Sequence, residues 1–146
     1  MLAAPLAASA FALLKEVRGK LDPQRLRRIL TSTAKPISWH DGKMVHTDIL
    51  APVPQQGSGI VQVWNAAHTT IEISIDNIAW NDTDHFVNNR TFSVMNTGEQ
   101  SAVLELTHRK AVTMHTLQKA TDGVLRPASF PNPIVEDWAE LEFSSR

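Results

Sequence analysis

The chain has 146 residues, 42% of them hydrophobic and 20% charged, which suits one ordinary domain or pieces of two and excludes collagen-like or disordered character. Its formal net charge of -1 gives no electrostatic footprint for nucleic acid or an anionic membrane, and its longest apolar run falls short of the ~20 residues needed to cross a bilayer. With no cysteine, a disulfide framework, a thiolate metal site and a cysteine nucleophile are all excluded.

The first charged residue is Lys15, so the chain opens on the apolar stretch "MLAAPLAASAFALL". The small residues near "ASA" look like a secretory cleavage site, but no Lys or Arg precedes the run, as a signal peptide would require. The better reading is a helix over residues 3–17. Pro5 falls near its first turn, where a missing N–H costs nothing, and Leu6, Ala7, Ala10, Phe11, Leu13 and Leu14 leave hardly any polar face. A helix apolar all round belongs inside a larger protein.

Gly19 is a plausible C-terminal cap, and "LDPQRLRRILTSTAKP" then starts a second helix. Asp22 can accept the free N–H groups of its first turn, Pro23 suits its first position, and Leu26, Ile29 and Leu30 form one apolar stripe. Arg25, Arg27 and Arg28 then occupy its other faces, which reads as a solvated basic surface rather than a ligand site. Residues 36–56 read as loop, with Asp41-Gly42 as a turn and Pro52 and Pro54 barring regular structure. In "QQGSGIVQVWNAAH" helix resumes, Gly57 and Gly59 marking the entry and Ile60, Val63 and Ala67 one side.

Beyond His68 the period changes from helical to alternating. "IEISI", "RTFSVMN", "AVLELTH" and "WAELEF" each alternate, and "NDTDHFVNN" and "NTGEQ" separate them as turns. Short strands between Asn, Gly and Pro clusters imply an antiparallel sandwich, with Trp80, Phe92, Val94, Val103 and either Leu104 or Leu106 in its core. The change of period places a domain boundary near residues 68–69.

Chemistry is sparse. Ser58 in "QGSGI" is not a nucleophile elbow, because Gln56 and Ile60 stand where that motif has glycines, and Gln62 denies Gly57 and Gly59 the third glycine of a dinucleotide fingerprint. The histidine pairs His40 with His46 and His108 with His115 lack H-E-x-x-H or another metal spacing, so no metal is expected. Asn81-Asp82-Thr83 and Asn89-Arg90-Thr91 are N-glycosylation sequons without proline, which favour an extracellular setting.

"LAAPLAASAFALLKE", "LDPQRLRRILTSTAKP" and "PQQGSGIVQVWNAAH", in that order, resemble the C-terminal third of the catalytic domain of subtilisin-like serine proteases. That family carries its nucleophile in a Gly-Thr-Ser-Met-Ala-x-Pro motif at the start of a long buried helix, followed by a helix ending in a Thr-Ala turn and a closing Gln-Gly-x-Gly helix. The segment "IEISIDNIAWNDTDHFVNNRTFSVMNTGEQSAVLELTH" is similar to the start of the fibronectin type III-like sandwich of larger secreted subtilases. Residues 116–137 match least.

The resemblance implies an α+β fragment: residues 1–68 as the C-terminal helices of a subtilisin-like α/β domain, and residues 69–146 as a partial, fibronectin type III-like antiparallel β-sandwich. About seven strands and roughly 100 residues complete such a sandwich, so 69–146 would leave edges unpaired. Aligning Ala3 and Pro5 with Ala-x-Pro puts Leu2 at the family's Met and Met1 where the serine would stand. The triad order Asp, His, Ser would place the other two members further upstream, with the oxyanion-hole asparagine and the substrate-binding strands.

The implied function is therefore that of a piece of a secreted, extracellular serine endopeptidase, whose intact form hydrolyses protein or peptide substrates through an acyl-enzyme. No catalytic residue, no organic cofactor and no metal are assigned to this chain, and no peptidase activity is expected from it alone. A different class of function, a noncatalytic β-sandwich binding or structural module whose loops meet a protein or glycan partner, is the alternative.

Overall fold

The computed structural model describes residues 3–128 and 133–135; Met1, Leu2 and the alternating run "WAELEF" lie outside the described residues. Among the described residues are four helices and a set of short antiparallel strand pairs, an α+β content with no closed barrel. They fall into two compact units, each assembled from two separated stretches: residues 3–35 with 58–104, and residues 36–57 with the part beyond 104. Both sides of the expected 68–69 boundary contribute to the first unit.

The first unit opens with helix α1, Ala3–Arg18. It stops where Gly19 takes φ 77°, a left-handed conformation that favours glycine. Helix α2 spans Pro23–Ser32, and the Asp22 carboxylate accepts from the N–H groups of Gln24 (3.1 Å) and Arg25 (3.2 Å), as its sequence dictates. Leu26, Ile29 and Leu30 are all buried, so the stripe read from the sequence is the face that packs.

With Ala10 and Leu14 of α1, and Ala66 of a short helix α4 (Val63–His68), those residues form the core of the unit. Phe11, Leu21, Val63 and Ala67 close around it half-buried. Burial in α1 is one-sided: Leu14 is fully buried, whereas Leu6 is 69%, Leu13 53% and Val17 61% exposed. Spaced i, i+7 and i+11, these three residues line one stripe along the helix.

Helix α4 begins later than "QQGSGIVQVWNAAH" suggests. Gly59 adopts φ 115°, and Ile60 forms a two-bond bridge with Lys35, N–H to carbonyl at 2.8 Å in each direction. This pairing engages the Ile60 backbone, and the helix starts only at Val63.

Strands β3 (Ile71–Ile73) and β4 (Val94–Asn96) pair antiparallel with Glu72 opposite Met95. Thr97 N–H to the Thr70 carbonyl and Ser74 N–H to the Ser93 carbonyl extend the pairing at both ends. Gly98 lies so near Thr70 that an added Cβ would meet its Cβ and Cγ2 at 3.0 Å, which explains a glycine in "NTGEQ".

The alternation of "IEISI" is inverted relative to expectation. Glu72 is the buried residue of β3, and Ile71 and Ile73 are only half-buried. The expected sandwich core is corrected too: Trp80, Leu104 and Leu106 are exposed, Val103 fully so, and Phe92 and Val94 are half-buried. "AVLELTH" forms no strand.

The second unit corrects the reading of 36–56 as loop. Strands β1 (Ser38–His40) and β2 (Val45–Leu50) form a hairpin, with an irregular register between Ser38 and Trp39. Asp41-Gly42 is its turn, as expected: Gly42 has φ 94°, and Asp41 Oδ1 accepts from the N–H groups of Lys43 and Met44, both at 2.8 Å. The prolines do not prevent the hairpin because they follow it; Pro52 precedes a single turn of helix, α3, Val53–Gln56.

The Gln56 side chain links two backbone segments here, its Oε1 accepting from Ile37 N–H and its Nε2 donating to the Ala51 carbonyl, each at 2.7 Å. Leu50 bridges the 110–112 segment in parallel, and Ala51 and Val112 are buried. Strands β5 (Thr113–Met114) and β8 (Pro133–Ile134) pair, and β6 (Leu117–Lys119) and β7 (Leu125–Pro127) form a hairpin turning at Gly123, φ 81°.

Candidate functional site

Among the described residues, the candidates read from the sequence are not brought together into a reactive group. Ser58 is exposed, and its hydroxyl meets no histidine or carboxylate among the described residues. His40 and His46 both serve the β1–β2 hairpin: His40 Nδ1 accepts from Gly42 N–H at 2.9 Å, and His46 Nε2 lies 3.0 Å from Asp41 Oδ2. The His46 ring also stacks on Trp39, centroids 4.7 Å apart.

The His46 hydrogen bond, with the N–H groups of Met44 and Lys43, holds the Asp41 carboxyl well below the usual carboxylate range. This Asp–His pair has no hydroxyl partner among the described residues, so it closes a turn rather than activating a nucleophile. No group of three or more His, Asp or Glu side chains among the described residues is arranged to hold a metal.

Among the described residues, charge is concentrated in a seam between α2 and β3. Glu72, 8% exposed, accepts two hydrogen bonds from Arg25, Nε to Oε2 at 2.8 Å and Nη2 to Oε1 at 2.7 Å. Arg18 Nη1 stands 3.7 Å from Glu72 Oε1 while the same guanidinium donates to the Ala66 carbonyl at 2.8 Å and to the Thr69 carbonyl. Arg18 thereby ties the end of α1 to the end of α4 and supplies a second positive charge to a carboxylate that burial would otherwise disfavour.

The bidentate Arg25 bond is the main cause holding the Glu72 carboxyl below its ordinary range, against the opposing effect of burial. The same contact pushes Arg25 further up. Arg27 Nε pairs with Asp76 Oδ2 at 2.8 Å nearer the surface. So two of the three arginines read as a solvated face are committed to acidic partners on and beyond β3.

Beside this seam lies a recess of about 370 Å³ lined by Gln24, Arg27, Arg28, Ser74, Asp76 and Asn77, with Ile75 as its only aliphatic residue. The Ser74 Oγ accepts from Ser93 N–H at 2.9 Å. Hydrogen-bonding groups line it, but no nucleophile and general base meet there. Glu72 was the informative residue that alternation alone misassigned; an acidic side chain centred in an isoleucine run, downstream of clustered arginines, is the signal that could have found it.

The sequons Asn81 and Asn89 both lie in the segment joining β3 to β4, and both side chains are exposed. Asn81 has φ 64°, and its Nδ2 donates to the His85 carbonyl at 3.2 Å. Asp82 Oδ1 accepts from His85 N–H at 2.8 Å and lies 2.9 Å from His85 Nδ1, and this imidazole contact is the main cause lowering the Asp82 carboxyl. Val87 N–H to the Trp80 carbonyl closes the loop at 3.0 Å, with the Trp80 and Phe86 rings stacked 6.4 Å apart. Asn89 follows that closure and makes no hydrogen bond among the described residues.

No protein-family model matches the sequence, and neither the curated proteins nor the solved structures yield a match.

Proposed function

We propose that this chain is part of a secreted subtilisin-like serine endopeptidase, comprising closing helices of the catalytic domain and the start of a fibronectin type III-like sandwich, and that it has no peptidase activity alone. The observation that carries the reading is the uncovered stripe Leu6, Leu13 and Val17 on α1. In the family it resembles, the corresponding helix is buried against a parallel sheet, which accounts for apolar residues on a face that the first unit leaves bare. The exposed Trp80, Val103, Leu104 and Leu106 are in keeping with a sandwich whose second layer is not supplied by the described residues.

The family's chemistry needs a serine, a histidine base, an orienting aspartate and an oxyanion hole. Among the described residues no serine is hydrogen-bonded to a histidine, which is in keeping with a piece that contributes framework rather than reacting groups. In the intact parent, the partners would be protein or peptide substrates.

Sequencing the transcript upstream of codon 1 tests the family reading directly. A transcript in which an upstream open frame ending in Gly-Thr-Ser joins directly to the Leu2 codon, replacing Met1, is the expected result, and an in-frame stop codon upstream of Met1 in every transcript would overturn it. Incubating the purified chain with casein and a fluorophosphonate probe tests the activity reading, for which neither cleavage nor labelling is expected.

A further inference from the structure

We infer that Asn89 is an acceptor for an N-linked oligosaccharide and that Asn81, eight positions earlier and carrying the same motif, is passed over. Both triplets satisfy the Asn-x-Thr rule, so the motif alone treats them as equals. Their surroundings separate them.

Asn81 is engaged within its own loop: its Nδ2 donates to the His85 carbonyl, while its neighbour Asp82 holds the His85 N–H and ring. These bonds span three or four residues, so they form on the loop-closure timescale, far faster than the long-range pairing of β3 with β4. They compete for the Asn81 amide in a chain that is only partly folded. Asn89 is exposed, follows the closed loop, and its amide has no competing partner among the described residues. The Arg90 side chain beside it reaches the Ala79 carbonyl, its Nε donating at 3.2 Å, and leaves the Asn89 amide alone.

Charge acts in the same direction. The co-reactant is an oligosaccharide linked to a polyprenyl diphosphate, an anion. The Asn81 sequon has Asp82 at its middle position and Asp84 just beyond, which repel that anion, whereas the Asn89 sequon has Arg90 in the middle. In the transfer, the Asn89 Nδ2 forms a bond to the anomeric carbon of the first sugar as the bond from that carbon to the diphosphate oxygen breaks. The polyprenyl diphosphate leaves with the electron pair, and the amide releases one proton to the transferase base. No oxidation or reduction occurs.

The inference rests on the extracellular part of the proposed function, and its test is arranged to be independent of the peptidase assignment. The full chain, carried behind a cleavable secretory leader, is produced in eukaryotic cells and treated with peptide-N-glycosidase, which leaves an aspartate at each occupied asparagine for mass spectrometry to locate. Conversion at position 89 with position 81 intact is the expected result. Asn89→Gln and Thr91→Ala should each abolish the mobility shift, Thr91→Ser should retain it, and Asn81→Gln should leave it unchanged. Conversion at 81, or secreted chain bare at both positions, overturns the inference; a transcript lacking Gly-Thr-Ser would overturn the peptidase reading and leave this result standing.

Discussion

Replacing Leu6 and Leu13 with Glu and Val17 with Lys should convert a self-associating chain into a more soluble one without unwinding α1. Full burial of a Leu or Val side chain contributes about 1.5–3 kcal/mol. With 69%, 53% and 61% of the three still exposed, the apolar surface left on this stripe is worth roughly 3–5 kcal/mol to whatever covers it. That corresponds to at least a hundredfold in an association constant.

Glu and Lys are good helix formers, and the changes at 13 and 17 create an i,i+4 pair in the favourable order, so the helix itself loses nothing. Sedimentation velocity over a concentration series, with binding of an apolar fluorescent dye, reads the effect. The original chain should associate as concentration rises and bind dye; the triple variant should shift toward monomer and lose much of the dye signal. Equal association of both chains, or an original chain that is monomeric and dye-silent, would refute the claim that this stripe is an unfilled contact.

The soluble variant provides a background for the remaining predictions. Glu72→Gln should lower its urea midpoint, by about 1–3 kcal/mol of stability from the charge-assisted bonds, toward the lower figure because Arg25 is partly solvated. The folded-state pKa of Glu72 is depressed, so its contribution is present above the ordinary carboxylate value of about 4.3 and is lost as pH falls through the folded value. Stability should therefore decline with acid more steeply with Glu72 than with Gln there, and parallel pH profiles would remove Glu72 from the account. Asp22→Ala should cost about 1 kcal/mol through loss of the α2 cap, seen as a lower unfolding midpoint, while Asp22→Asn should restore most of it.

Helix-forming information was the most readable because it is local. Asp22, Pro23 and the Leu26–Ile29–Leu30 stripe specify α2 within one turn and one face, and Gly19 ends α1 by its backbone alone. What could not be read depends on partners distant in sequence. The bridge before α4 is imposed by Lys35 on Ile60, and the inward turn of Glu72 by Arg18 and Arg25. Alternation reports two faces but not which one is buried, and arginines in range reverse the usual choice. The β1–β2 hairpin was hidden by prolines that lie beyond its last residue. For the site, the motif test discarded Ser58 and the histidine pairs; the separate circumstances of Asn81 and Asn89 needed the loop's hydrogen bonds.

The pairing of Arg25 with Glu72 also sets a schedule for synthesis. The two residues are 47 positions apart, and translation at ~5–20 residues per second leaves the arginine waiting roughly 2–9 s for its carboxylate to emerge. Over that interval Arg18 and Arg25 stand without the carboxylate that they share in the folded unit. Slowing translation between codons 35 and 72 would lengthen the time for which both arginines lack that partner.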